Sequence, residues 1–136
     1  MLKVMFLCTG NACRSQMAEA FARELSMGRI DSYSAGLMEV EIHPRAIAAM
    51  KEAGIDISGQ KSKEIDPELL CKMNVVITLC IPAENNCPWT PPQVKRLHWP
   101  IVAPVETWGT EEVTVNDFRR ARDEIRELIE EFIRKI

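Results

Sequence analysis

Eight residues, Cys8-Thr9-Gly10-Asn11-Ala12-Cys13-Arg14-Ser15, constrain this chain more than any other stretch, because they lie between an apolar run and a helical repeat. Leu2 to Leu7 (L-K-V-M-F-L) reads as a buried strand, and from Ser15 onward Met17, Ala18, Phe21, Ala22 and Leu25 recur at helical spacing. A loop joining a strand to a helix start leaves several amides without intrahelical acceptors, and the helix dipole adds a positive field. An oxyanion belongs in such a place. Arg14 adds a planar, permanently charged fork, and Cys8 heads the loop as a thiol in the same field, which favours a thiolate nucleophile. The C-x5-R spacing alone is only moderately specific, since a buried strand-end cysteine and a solvated first-turn arginine would read alike.

At 136 residues the chain suits one domain, expected to run over 1–136 with a core of its own. A net charge of -3 and a pI near 5.5 argue against a nucleic-acid or anionic-membrane surface, so attraction for anions must be local. The N-terminal apolar run is too short to span a membrane and lacks the features of a signal peptide, which leads to a cytoplasmic expectation. Five cysteines in a reducing compartment point to catalysis, metal binding or simple burial before a disulfide framework. No exposed apolar surface stands out, so a monomer is expected.

In chain order, Gly28 is a stop for the first helix, and Asp31 to Gly36 reads as a short strand running into a glycine turn. His43-Pro44 opens a helix with Ala46, Ile47, Ala49, Met50 and Ala53 on its apolar face, ended by Gly54. Asp66-Pro67 starts a short helix through about Lys72. Asn74 to Leu79 (N-V-V-I-T-L) reads as a central parallel strand covered on both faces and ends at Cys80. Residues 81 to 92 hold four prolines and are expected to be loop or broken helix. Val94 to Trp99 is the candidate last strand, and roughly Asn116 to Ile136 an amphipathic helix. The alternation predicts an α/β fold, a doubly wound parallel sheet of about four strands with helices on both faces, in which ligands bind beyond the carboxyl ends of strands. Cys8 and Cys80 both follow strands and become neighbours if those strands are adjacent.

With the strand before it and Ser15 beside Arg14, the loop resembles the phosphate loop of low-molecular-weight protein tyrosine phosphatases and of the arsenate reductases related to them. That resemblance implies that the amides of Thr9, Gly10, Asn11, Ala12, Cys13 and Arg14 hold the oxyanion, that Ser15 donates to the Cys8 thiolate, and that Gly10 lets the backbone close around the anion.

A phosphatase needs only the first cysteine, so Thr78-Leu79-Cys80 through Cys87-Pro88-Trp89 is the informative segment. Cys80 ends a rigid strand, whereas Cys87 lies in a loop that can move. Here, with T-L-C followed by C-P-W-T-P-P-Q-V-K-R-L-H-W, with Ser34-Ala35-Gly36 and with Gly54-Ile55-Asp56-Ile57-Ser58, the chain resembles the thioredoxin-coupled arsenate reductases. The resemblance implies a three-thiol relay with arsenate as substrate and thioredoxin as reductant. Cys8 attacks arsenate, Cys80 attacks Cys8, and Cys87 attacks Cys80 and carries the disulfide outward.

Two departures stand out. Both families usually place an aspartate before proline after the last strand, as general acid; here Ala103 precedes Pro104, and no aspartate lies between Asp66 and Asp117. Phosphate ester hydrolysis should therefore be poor, and Glu106 is a candidate substitute donor. Relatives of this kind can also bind potassium through residues matching Asn11, Glu19 and Ser34 and an acidic residue where Lys63 stands. The Lys63 ammonium is expected to take the cation's place, leaving activity independent of potassium and no cofactor tightly bound.

The rival readings are a phosphatase of the same fold, a non-catalytic redox-sensitive oxyanion-binding protein, and a zinc site drawn from Cys8, Cys13, Cys80, Cys87 and His98. Zinc is disfavoured by the absence of a C-x2-C pair and by Arg14. Cys13 reads as a packed residue, Cys71 as core, and His43 and His98 as structural residues whose partners the sequence does not name.

Overall fold

A computed structural model describes residues 1–104 and 110–136. Four strands, β1 (Leu2–Cys8), β2 (Ile30–Gly36), β3 (Val75–Thr78) and β4 (Lys95–His98), form one all-parallel sheet in the order β2-β1-β3-β4. Five helices connect or follow them: α1 (Arg14–Leu25), α2 (Pro44–Glu52), α3 (Pro67–Leu70), α4 (Ile81–Asn86) and α5 (Glu111–Lys135). Five consecutive residues of β1, Val4 to Cys8, and all four of β3 are buried, so both interior strands are covered on both faces. β4, at the sheet edge, is mostly exposed and charged.

α1 packs on β1 and β2 and on α5. Met17, Ala18, Phe21 and Ala22 of α1 and Phe118, Ala121, Ile125 and Ile129 of α5 are buried in one hydrophobic core. Arg126 of α5 also lies over the Phe21 ring, 5.7 Å from its centroid. Trp99, just past β4, links sheet to helix, with its ring 6.3 Å from Phe6 and 5.7 Å from Phe132. α2 is held to α5 by Glu52, whose carboxylate receives Arg119 at 2.6 Å and Arg122 at 2.9 Å.

Three features differ from the sequence expectation. α5 begins at Glu111, five residues before Asn116, because Thr110 caps it by accepting the amide of Val113 and two glutamates occupy the first turn. α4 forms where loop or broken helix is expected, since Pro82 falls in the first turn, where its missing N–H costs nothing. Cys71 is not core: it is half-buried, and its thiol donates to the Trp89 carbonyl at 3.8 Å beside a surface groove. The remaining elements agree with the sequence reading to within one or two residues.

Candidate active site

The Cys8 to Ser15 loop leaves the carboxyl end of β1 and enters α1, and its carbonyls face outward one after another. Cys8 O accepts from the Leu37 amide at 3.3 Å, Thr9 O from Met38 at 3.1 Å, Gly10 O from Val40 at 3.1 Å and Ala12 O from His43 at 2.9 Å. Asn11 O accepts from Gln16 Nε2 at 3.0 Å, and Cys13 O from the Met17 amide at 3.0 Å. In a trans peptide the N–H points opposite to the C=O, so this outward ring turns the amides of Thr9, Gly10, Asn11, Ala12, Cys13 and Arg14 toward the inside of the loop. Those six amides belong to the residues that the sequence nominates for the oxyanion.

The left-handed residue of the loop is Asn11, with φ of 52°, and not Gly10. Gly10 makes room for Val40 instead, whose Cγ2 lies 3.0 Å from where a Cβ would sit. The tighter approach is at Gly36, the last residue of β2: a Cβ there would meet Asn11 N at 2.7 Å and Gly10 C at 2.9 Å.

Ser15 Oγ lies 2.8 Å from Cys8 Sγ. Asn11 Nδ2 donates to the same Ser15 oxygen at 2.7 Å and to Ser34 Oγ at 3.0 Å, so the Ser15 proton is left for the sulfur. Asn11 is fully buried, and its Oδ1 accepts from Gln16 Nε2 at 3.0 Å and from the Lys63 amide at 2.9 Å. The sequence reading gives Asn11 a backbone role toward the oxyanion and groups it with Glu19, Ser34 and Lys63 only around a cation; the bond of its side chain to Ser15 is the part it misses.

Arg14 points its Nη1 at the Ile101 carbonyl, 2.9 Å away, which ties the guanidinium to the stretch after β4. A cleft of about 290 Å³ opens there, lined by Thr9, Arg14, Cys80, Ile101 and Ala103 among others. Ala103, where a general acid would be expected, is exposed on its rim and carries no acid or base. Glu106, the candidate substitute, lies outside the described residues.

Because β1 and β3 are adjacent, Cys80 sits next to the loop, its Sγ 3.3 Å from Thr9 Oγ1. Cys80 precedes α4 and Cys87 follows it, so the two thiols flank one six-residue helix. Burial pushes the Cys87 thiol up from its ordinary pKa, an effect partly offset by the positive charge of Arg96 and reinforced by Glu84. The site thus brings Cys8, Arg14, Ser15 and Cys80 together and leaves Cys87 at the far end of α4.

Glu19, buried under the loop, is already satisfied. Its carboxylate accepts from Ser34 Oγ at 2.7 Å, pairs with Arg23, and has the Lys63 ammonium 3.9 Å away. Arg23 and Lys63 thus put two cations around one buried carboxylate, and the Lys63 ammonium also donates to the Lys61 carbonyl at 2.6 Å. Among the described residues no group of three or more His, Cys, Asp or Glu is arranged to hold a metal ion.

Several known proteins are similar to this chain. An arsenate reductase from Bacillus licheniformis is 50% identical over 129 residues, covering 95% of this chain and 93% of that protein. A solved structure described as an arsenate reductase in the phosphate binding state is 39% identical, with a TM-score of 0.80 over 100% of this chain and 99% of the other. A thioredoxin-dependent arsenate reductase of Corynebacterium glutamicum is 26% identical, with a TM-score of 0.73 over 96% of this chain and 61% of its own. With residues 3–136 matching it from β1 through α5, the chain belongs to the low molecular weight phosphotyrosine protein phosphatase family.

Proposed function

We propose that this chain is a cytoplasmic arsenate reductase of one domain that reduces arsenate to arsenite with electrons from thioredoxin. The observation that carries the reading is the second thiol at the mouth of the loop, Cys80 Sγ at 3.3 Å from Thr9 Oγ1, beside the loop that Cys8 heads. Hydrolysis of a phosphate ester has no use for it. Reduction does.

In the proposed sequence the loop amides and Arg14 hold the tetrahedral oxyanion, and the Cys8 thiolate, supported by the Ser15 hydroxyl, attacks arsenic. A sulfur–arsenic bond forms and one oxygen leaves as water after protonation. Cys80 then attacks the Cys8 sulfur: an S–S bond forms, the S–As bond breaks, and its electron pair stays on arsenic, which departs as arsenite. Cys87 attacks the Cys80 sulfur, frees the Cys8 thiolate and moves the disulfide to Cys80–Cys87. A thioredoxin dithiol reduces that bond by two further exchanges.

The cleft explains a bias toward this chemistry over phosphatase action. An alkoxide leaving group needs a proton donor where Ala103 stands, whereas an oxygen of arsenate is already protonated or takes a proton from water. Activity is independent of potassium, because Lys63 and Arg23 neutralise Glu19 from within the chain.

The test is NADPH oxidation with thioredoxin, thioredoxin reductase and arsenate, comparing wild type with Cys8→Ser, Cys80→Ser and Cys87→Ser. Loss of arsenate-dependent oxidation in all three variants supports the relay. Loss with Cys8→Ser alone, or no oxidation in the wild type, rules it out.

A further inference from the structure

The Cys80–Cys87 disulfide, on which the proposed relay depends, is not compatible with α4 as it stands. Cys80 is the residue before the helix and Cys87 the residue after it. Seven residues at 1.5 Å of rise separate their Cα atoms by roughly 10 Å, whereas a disulfide needs about 4.4 to 6.8 Å. The helix has to break for Cys87 to reach Cys80. What holds it closed therefore governs when the second exchange can occur.

Little does. Within α4 the Glu84 amide donates to the Cys80 carbonyl at 3.1 Å, and Asn86 Nδ2 donates to the Pro82 carbonyl at 2.8 Å. Only Ala83 of the helix is buried. The polar tie from helix to sheet runs through Glu84. Thr78, 1% exposed at the end of β3, donates its hydroxyl to the Glu84 carboxylate. His98, at the end of β4, has its Nδ1 2.8 Å from the same hydroxyl oxygen and 3.6 Å from Glu84 Oε2. A threonine has one proton to give, and the carboxylate takes it. The His98 Nδ1 therefore carries a hydrogen and donates to Thr78. This also supplies the partner that the sequence does not reveal for His98.

We propose that Thr78, Glu84 and His98 form a latch that keeps α4 folded against the sheet, and that its release is the gating event between the Cys8–Cys80 and Cys80–Cys87 disulfides. Glu84 and Thr78 are positioning residues: neither touches the arsenic or the exchanging sulfurs. While the latch is shut, Cys80 stays at the loop, ready for Cys8, and Cys87 stays parked away from it. Cys87 has no disulfide to attack until Cys8–Cys80 has formed, so the chemistry sets the order of the two exchanges and the latch sets how fast the second follows the first. The proposal rests on the relay reading for its role in turnover, but the latch itself can be observed without it.

The experiment compares wild type, Thr78→Val, Glu84→Ala and Thr78→Ser in two measurements. In the reduced protein, hydrogen exchange at the Glu84 amide should quicken about tenfold in Thr78→Val and Glu84→Ala, as expected for losing a hydrogen bond to a charged group, and stay at the wild-type rate in Thr78→Ser, which keeps the hydroxyl. In a single turnover with arsenate and no reductant, quenched alkylation and peptide mapping should show the Cys8–Cys80 disulfide forming at an unchanged rate. Its conversion to Cys80–Cys87 should run about tenfold faster in the same two variants. Unchanged exchange in α4 while the relay runs overturns the latch and leaves the relay standing. Faster exchange in α4 with the second step unchanged or slowed overturns the gating role. A wild type that never forms Cys80–Cys87 overturns the relay and the gating role together.

Discussion

Asn11 Nδ2 lies 2.7 Å from Ser15 Oγ, and that single bond decides which way the Ser15 proton points. With the amide donating into the oxygen, the hydroxyl hydrogen is directed at Cys8 Sγ, 2.8 Å away. Both Ser15→Ala and Asn11→Ala should slow alkylation of Cys8 at neutral pH by about tenfold, because the thiolate loses an oriented donor. The two variants should differ in stability. Ser15→Ala removes one hydroxyl, while Asn11→Ala also strips partners from Ser34, Gln16 and the Lys63 amide and puts alanine at a positive φ. Thermal unfolding of Asn11→Ala should therefore fall well below that of Ser15→Ala; equal melting temperatures would refute the hub role given to Asn11.

Gly36 is the place where β2 admits the loop. A methyl there would sit 2.7 Å from the Asn11 amide nitrogen and 2.9 Å from Gly10 C, both backbone atoms that cannot swing aside. Gly36→Ala should cost about 1 to 3 kcal/mol in stability, as overpacking does, and should weaken phosphate binding measured by calorimetry, because the displaced atoms belong to the anion loop. Alanine tolerated with wild-type phosphate affinity would contradict this.

The strand-loop-helix unit was legible because its information is local: an apolar run, a loop with cysteine and arginine at its ends, and a helical repeat follow one another within 25 residues. That Cys8 and Cys80 lie at one edge of the sheet followed from alternation, since both come after strands; that they are neighbours depends on β1 pairing with β3, which the sequence left open. What stayed hidden is non-local or marginal. Asn11 meets Ser34 and Lys63 across 23 and 52 positions; the resemblance groups these residues around a cation, but no local pattern shows that the Asn11 side chain bonds them directly. α4 was obscured by prolines, because a six-residue helix has too few turns to show a period and its Pro82 reads as a breaker until its first-turn place is known. Cys71 was misplaced for a related reason: beside Leu69 and Leu70 it looks apolar, but a four-residue helix ends before it can bury that face.

Ala103 should be the residue that separates this chain from a working phosphatase. It lies on the rim of the same cleft as Arg14. Ala103→Asp should raise hydrolysis of para-nitrophenyl phosphate by about 10² to 10⁴, the usual worth of a general acid, while changing arsenate reduction far less. A variant that gains nothing on the ester would place the proton donor elsewhere.

Lys63 and Glu19 lead to an ion-dependence experiment. The wild type, with Arg23 and Lys63 around Glu19, should show equal arsenate turnover and melting temperature in sodium and in potassium chloride. Lys63→Glu removes one cation and adds an anion beside a buried carboxylate, so it should be destabilised and should recover part of the loss in potassium. Wild-type activation by potassium would show that the ammonium does not fill the cation's place.

Cys87 should impose a pH dependence on the second exchange. Burial raises its pKa in the closed protein, with Glu84 adding to the rise and Arg96 opposing it. The closed form is therefore favoured over an open one by the neutral thiol: that preference is complete below the ordinary cysteine value of about 8.5 and is lost as pH climbs through the raised value. Since only the thiolate attacks, conversion of Cys8–Cys80 to Cys80–Cys87 should quicken roughly tenfold per pH unit from pH 6 to 8, with no plateau in that range. Arg96→Met takes away the opposing charge, so it should slow the step and shift the profile toward alkali without altering formation of the first disulfide. Rapid-quench alkylation across this range checks the argument. A plateau below pH 8 would mean that opening of α4 alone limits the step and that ionisation of Cys87 does not.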